Sequence, residues 1–93
     1  MNVSVEFFGQ SRIVCGISYI CLEIPDASSV ESTVIGRCLL KKIPVLADTV
    51  ISSDTAMFLP SYMCNLNGDS FVGRSFTVSN GDTVLVIPSQ SGG

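Results

Sequence analysis

The last two residues, Gly92-Gly93, are the feature of this 93-residue chain best suited to chemistry. Lacking Cβ atoms, they can thread a narrow channel and take backbone angles closed to other residues. Glycine usage of about 7% makes such an ending roughly a one-in-two-hundred coincidence, so it carries weight as a signal. Ser89, Gln90 and Ser91 ahead of it are polar and build no core, which predicts an extended, available tail. A terminal carboxylate is a poor electrophile. It needs activation, typically as an acyl-adenylate, before a sulfur or nitrogen nucleophile can displace the leaving group.

The other reactive side chains argue against a catalytic centre. There is no His, so every Ser-His or Cys-His arrangement is excluded and the commonest general base is missing. Cys15, Cys21, Cys38 and Cys64 form no CxxC and no paired ligand spacing, so no metal site is expected. Cys21, Cys38 and Cys64 lie in apolar segments and are expected to be buried, inert thiols. Cys15, in the first connection, is the least secure of the four.

Composition bounds the remaining possibilities. Hydrophobic residues make up 46% and charged residues 14%, the reverse of a disordered chain. The length suits one small core. Five Lys+Arg against eight Asp+Glu, net −3, give no basic stripe for nucleic acid. A mildly acidic small domain suits a larger, more basic partner. No apolar run is long enough to span a bilayer, and the N-terminus has no basic region ahead of an apolar one. A cytoplasmic protein with no membrane association is the expectation.

The elements that must position the tail follow from periodicity. Val3, Val5 and Phe7 alternate with Ser4, Glu6 and Phe8, a half-buried strand. The stretch from Gly9 to Gly16 reads as a connection, and residues 17–24 as a second strand ended by Pro25-Asp26. Ser28 with Glu31 fits a capping box, with Ser29 as an alternative cap. Val30, Val34, Ile35, Cys38 and Leu39 then mark one helical face, and Pro44 stops the helix. Gly36 inside it costs about 1 kcal/mol against Ala, which suggests close packing on the sheet. Residues 44–58 read as a loop with a short helical turn. Residues 61–66 form a strand, followed by the turn Asn67-Gly68-Asp69, a short strand at Phe71-Val72 and a second turn at residues 79–82. Residues 83–87 form a Val-rich strand, expected to be central. The order predicts an α+β, β-grasp layout: a mixed sheet of about five strands around one main helix, residues 1–88, with residues 89–93 as the tail.

Strand parity also predicts a docking surface. With Val5, Phe7, Val84 and Val86 turned inward, Phe8, Leu85 and Ile87 face outward, and Phe71 can join them across the sheet. Large apolar side chains on an open face mark a partner site, unless residues 44–58 cover them.

Three segments carry a family resemblance. Phe7-Phe8-Gly9-Gln10-Ser11-Arg12 with Gly16 is similar to a Phe-Phe-Ala-Gln-x-Arg…Gly element. Leu66-Asn67-Gly68 is similar to a Val-Asn-Gly turn. Asn80-Gly81-Asp82-Thr83-Val84 through Ile87-Pro88 to Gly92-Gly93 is similar to an Asp-Gly-Asp-x-Val…Pro…Gly-Gly ending. The chain thus resembles the MoaD/ThiS family of ubiquitin-like sulfur carriers, and within it the MoaD branch, the small subunits of molybdopterin synthase. Residues 40–60 match poorly, Gly9 stands where Ala is common, and four Cys are unusual for the family.

The resemblance implies that an E1-like adenylating enzyme uses ATP and Mg²⁺ to activate the Gly93 carboxylate. Sulfur transfer then gives a C-terminal thiocarboxylate. The tail, with Gly92 and Ser91, enters the molybdopterin synthase large subunit and donates sulfur for molybdopterin. The chain itself would hold no stable cofactor and act as a non-catalytic carrier subunit of a synthase-type complex. Phe8, Phe71, Leu85, Ile87 and Pro88 would bind the partners. Other readings remain: a carrier for thiamin, cysteine or a specialised metabolite, a ubiquitin-like protein modifier, or a plain binding module.

Overall fold

A computed structural model describes residues 1–89. Strand β1 (Asn2–Phe7) leads through helix α1 (Gln10–Cys15) into β2 (Tyr19–Glu23). A short strand β3 (Ser29–Glu31) precedes the main helix α2 (Ser32–Lys42), and a single 3₁₀ turn follows at Pro44–Leu46. Strands β4 (Tyr62–Leu66), β5 (Ser70–Val72), β6 (Thr77–Ser79) and β7 (Thr83–Pro88) complete the order. Five strands form one mixed sheet, β2-β1-β7-β4-β5, in which β1 and β7 are parallel and the other pairs antiparallel. The Val-rich last strand is central, as its composition predicts. The layout is the β-grasp of the sequence reading.

The core follows strand parity. Val3, Val5, Phe7, Val84 and Val86 are essentially buried and meet Ile35 and Leu39 of α2. Residues 44–58 do not cover the open side of the sheet. Leu46, Val50, Ile51 and Phe58 are buried in that same core cluster.

Two local expectations give way to tertiary pairing. The helix does not start at Ser28 or Ser29 but at Ser32, and its N-cap Glu31 makes no side-chain capping bond. Residues 29–31 instead pair antiparallel with residues 77–79 as a separate two-stranded sheet. The Ser32 N–H donates to the Phe76 carbonyl at 2.7 Å, and Ser32 Oγ accepts from the Phe76 N–H at 3.2 Å. A distant segment thus supplies the cap, and Val30 belongs to a strand rather than to the helical face. The connection after β1 also holds a helix. The Ser11 hydroxyl donates to the Phe8 carbonyl at 2.8 Å, and Gly16 closes α1 in a left-handed conformation, φ +76°.

Gly36 packs closely, but on the 52–56 loop rather than the sheet. A Cβ at this position would lie 2.0 Å from the Ala56 carbonyl oxygen. Ala56 itself holds a positive φ of 62°. Gly36→Ala gains about 1 kcal/mol of helix propensity and loses about 1–3 kcal/mol to overpacking against backbone. The expected net result is a lower urea midpoint. A midpoint equal to or above that of the parent protein would refute this packing.

Candidate functional site: the open sheet face

Cross-strand register assembles the face. Tyr19 opposes Glu6, Glu6 opposes Leu85, Leu85 opposes Asn65, and Asn65 opposes Phe71. These five residues therefore form one row across all five strands. Ile87 pairs with Met63 in the next row of the same parity. The Phe8 N–H donates to the Val86 carbonyl at 3.0 Å, which continues the β1–β7 ladder and brings Phe8 beside Ile87. Phe8 is 38% exposed and Phe71 60%, while Leu85 and Ile87 are half-buried. The four apolar residues expected outside thus lie on one face. Tyr19, Met63 and Asn65 join them, unmarked by the sequence reading. Their signal lies in the register, which no single strand reveals.

Two turns fix one end of this face. Asn67 and Gly68 both have positive φ, 61° and 76°, and the Asp69 N–H donates to the Leu66 carbonyl at 3.0 Å. That is the primed turn an Asn-Gly pair favours. The Asn67 amide nitrogen donates to Asp82 Oδ1 at 3.1 Å, and Asn67 Oδ1 accepts from the Thr83 N–H at 2.7 Å. Asp82 Oδ2 accepts from the Ser79 N–H at 2.8 Å. The Asn-Gly turn and the Asn80-Gly81-Asp82 segment are therefore one hydrogen-bonded unit, which sets the start of β7.

The other end of β7 leads to the tail. Gly9, at φ +59°, lies against Pro88, where an added Cβ would come within 2.5 Å of Pro88 Cγ. Both the backbone angle and the close approach account for glycine here in place of the alanine common in the resembling family. Pro88 thus packs beside Phe8 and Gly9, where β1 ends. The Ser89 N–H donates to the Ser61 carbonyl and its hydroxyl to the Pro60 carbonyl, both at 2.9 Å. Ser89 also borders a largely apolar groove of about 300 Å³ with Tyr62, Met63, Val72 and Arg74. The expected reactive residue Gly93, with Gly92 and Ser91, lies outside the described residues.

The thiols depart from expectation. Only Cys64 is buried; Cys15 and Cys38 are intermediate and Cys21 is exposed. Cys21 pairs with Ser4, whose parity turns both toward the open face. Its segment is apolar enough to suggest burial, but a half-buried strand buries only one parity. Burial pushes the Cys64 thiol up to about 12 from an ordinary 9.0. A maleimide is expected to label native Cys21 rapidly and native Cys64 only on unfolding, as read by mass spectrometry of peptides. The unfolded thiol ionises near 9 and the folded one near 12. This contribution to stability is therefore full below pH 9 and is lost as pH rises toward 12.

Among the described residues no helix is long and apolar enough to cross a membrane, and no three His, Cys, Asp or Glu side chains gather at metal-binding distance.

No family model and no curated protein matches the sequence. Solved structures do match. The small archaeal modifier protein SAMP1 of Haloferax volcanii superposes with a TM-score of 0.80 at 17% identity, over 100% of both chains. Molybdopterin converting factor subunit 1 of Pyrococcus furiosus gives 0.69 at 18% identity, over 95% of this chain and 97% of that one. The protein–protein complex of subunits 1 and 2 of the molybdopterin-converting factor of Helicobacter pylori gives 0.58 at 19% identity, over 100% of both chains. The five-stranded mixed sheet, its central last strand and the helix across one face give this chain the ubiquitin-like β-grasp fold that these small modifiers and converting-factor subunits share.

Proposed function

We propose that this chain is a ubiquitin-like sulfur carrier that works through its C-terminal Gly93 and supplies sulfur for molybdopterin synthesis. The observation that carries the reading is the geometry of β7. This central strand presents Leu85 and Ile87 on the open face and continues through Pro88 and Ser89 into the Gly-Gly tail. A partner docked on the face receives the tail at a fixed origin. Four residues beyond Ser89 reach at most about 14 Å.

The chemistry then needs two partners in turn. An E1-like enzyme would let the Gly93 carboxylate attack the α-phosphate of Mg²⁺-bound ATP, with pyrophosphate leaving. Sulfide would next attack the acyl-adenylate carbonyl, AMP would leave, and a thiocarboxylate would remain. ATP and Mg²⁺ belong to that enzyme; the carrier contributes the carboxylate and the docking face. The second partner would be a molybdopterin synthase large subunit, in line with the likeness to converting-factor subunit 1. The proposed place of action is the cytoplasm.

The likeness to SAMP1 favours one second reading, a modifier joined through Gly93 to lysines of other proteins. Isolating the tagged protein from its own cells separates the two. A free species with one oxygen replaced by sulfur, seen by intact mass, supports the carrier. Branched Gly-Gly-lysine peptides from many targets support the modifier. Neither product, in cells that make the cofactor, would reject both.

A further inference from the structure

Asn65 breaks the pattern of the open face. It is only 6% exposed, and its side-chain Oδ1 is buried with no hydrogen-bond partner. Its cross-strand neighbours are Leu85 on β7 and Phe71 on β5, so it sits in the row between two members of the apolar cluster. The core side of β4 is taken by Cys64 and Leu66, which leaves Asn65 no role in the core. Packing alone would favour an aliphatic residue here, because a buried acceptor without a donor destabilises the fold.

We propose that Asn65 is a specificity-determining residue of the docking face. It receives a hydrogen-bond donor from a partner protein whose apolar surface covers Phe8, Phe71, Leu85 and Ile87. The proposal rests on the reading of this face as the partner site. The donor has a way in. Phe71 lies on a three-residue edge strand and is 60% exposed, so it can swing aside without disturbing the core. The terminal torsion of an Asn side chain is broad and roughly two-fold, so the carboxamide can turn its oxygen outward.

The same row describes the partner further. Glu6 stands on the far side of Leu85, beside a shallow depression of about 270 Å³ shared with Asn67, Gly68 and Thr83. A fitting surface has an apolar centre, one N–H or O–H donor opposite Asn65, and a cation opposite Glu6. An equally apolar surface without the donor would leave the already buried Asn65 oxygen unpaired and gain nothing there. Preference for the surface that brings the donor is what the residue contributes.

The test uses the full chain and the adenylating enzyme from the same organism, with affinity measured by calorimetry. Asn65→Leu is expected to raise Tm and weaken binding about tenfold. That opposition is not the signature of a merely structural residue. Binding within twofold of the parent protein overturns the proposal, while a parallel loss in Phe8→Ala keeps the docking reading intact. No loss in Phe8→Ala overturns the docking reading and this proposal with it. Should Asn65→Leu misfold, the side-chain amide resonances of Asn65 in the parent protein decide. They are expected to shift when the enzyme is added, and unchanged resonances in a saturated complex refute the contact.

Discussion

Removing Gly93 is expected to abolish thiocarboxylate formation. With the adenylating enzyme, ATP and sulfide, the full chain is expected to exchange one carboxylate oxygen for sulfur, and the truncated chain to show no mass change. Shortening the tail by one residue retracts the carboxylate by about 3.5 Å from its anchored origin at Ser89. It also leaves one glycine at the end of the tail where the full chain has two. An in-line displacement tolerates little misplacement: 1 Å can cost about a hundredfold. The fold is expected to keep its Tm, because the buried core cluster is assembled from residues between Val3 and Val86. A truncated chain that still exchanges oxygen for sulfur would show that the carboxylate of Gly92 serves as well and that Gly93 is not required.

Phe8→Ala is expected to weaken binding to the adenylating enzyme about thirtyfold, since a large apolar residue at an interface centre contributes about 2 kcal/mol or more. Ile87→Ala should act similarly, at a somewhat larger cost to the free protein because Ile87 is half-buried. The adjacent Phe7→Ala provides the contrast. Phe7 is 1% exposed on the opposite face, and its truncation is expected to cost about 3–5 kcal/mol of stability. Neighbours in sequence thus answer to different measurements, Phe8 to calorimetry and Phe7 to denaturation. If Phe8→Ala unfolds the chain and leaves the affinity of the folded fraction unchanged, the open face is not where the enzyme docks.

Much of this site was legible in the chain because a strand has period two. The alternation around Val5 and Val84 suffices to separate Phe7 from Phe8 and Val86 from Ile87, and burial follows that parity. The Asn67-Gly68 pair dictates its turn through positive φ at both positions, a local property. The Val-rich composition of residues 83–87 marks a strand flanked on both sides, which is where β7 lies.

Other features depended on residues far apart in the chain. The capping box at Ser28 and Glu31 was locally sound, yet residues 29–31 pair with residues 77–79 and the Phe76 backbone caps Ser32. Helix α1 has only six residues, too few for a hydrophobic period, and 72%-exposed Ile13 would have obscured one. Cys21 looked buried because its segment is apolar, but the pairing of β2 with β1 turns it outward. Asn65 carries no signal in the sequence, since an Asn in a strand is ordinary until register sets it between Leu85 and Phe71. The sequence by itself determined the turns and the parity of the first and last strands, which are set by backbone sterics and side-chain alternation over a few residues. Only the tertiary structure decided where the helix begins, which thiols are reachable and what stands in the middle of the open face, because each depends on hydrogen bonds and contacts closed across long stretches of chain.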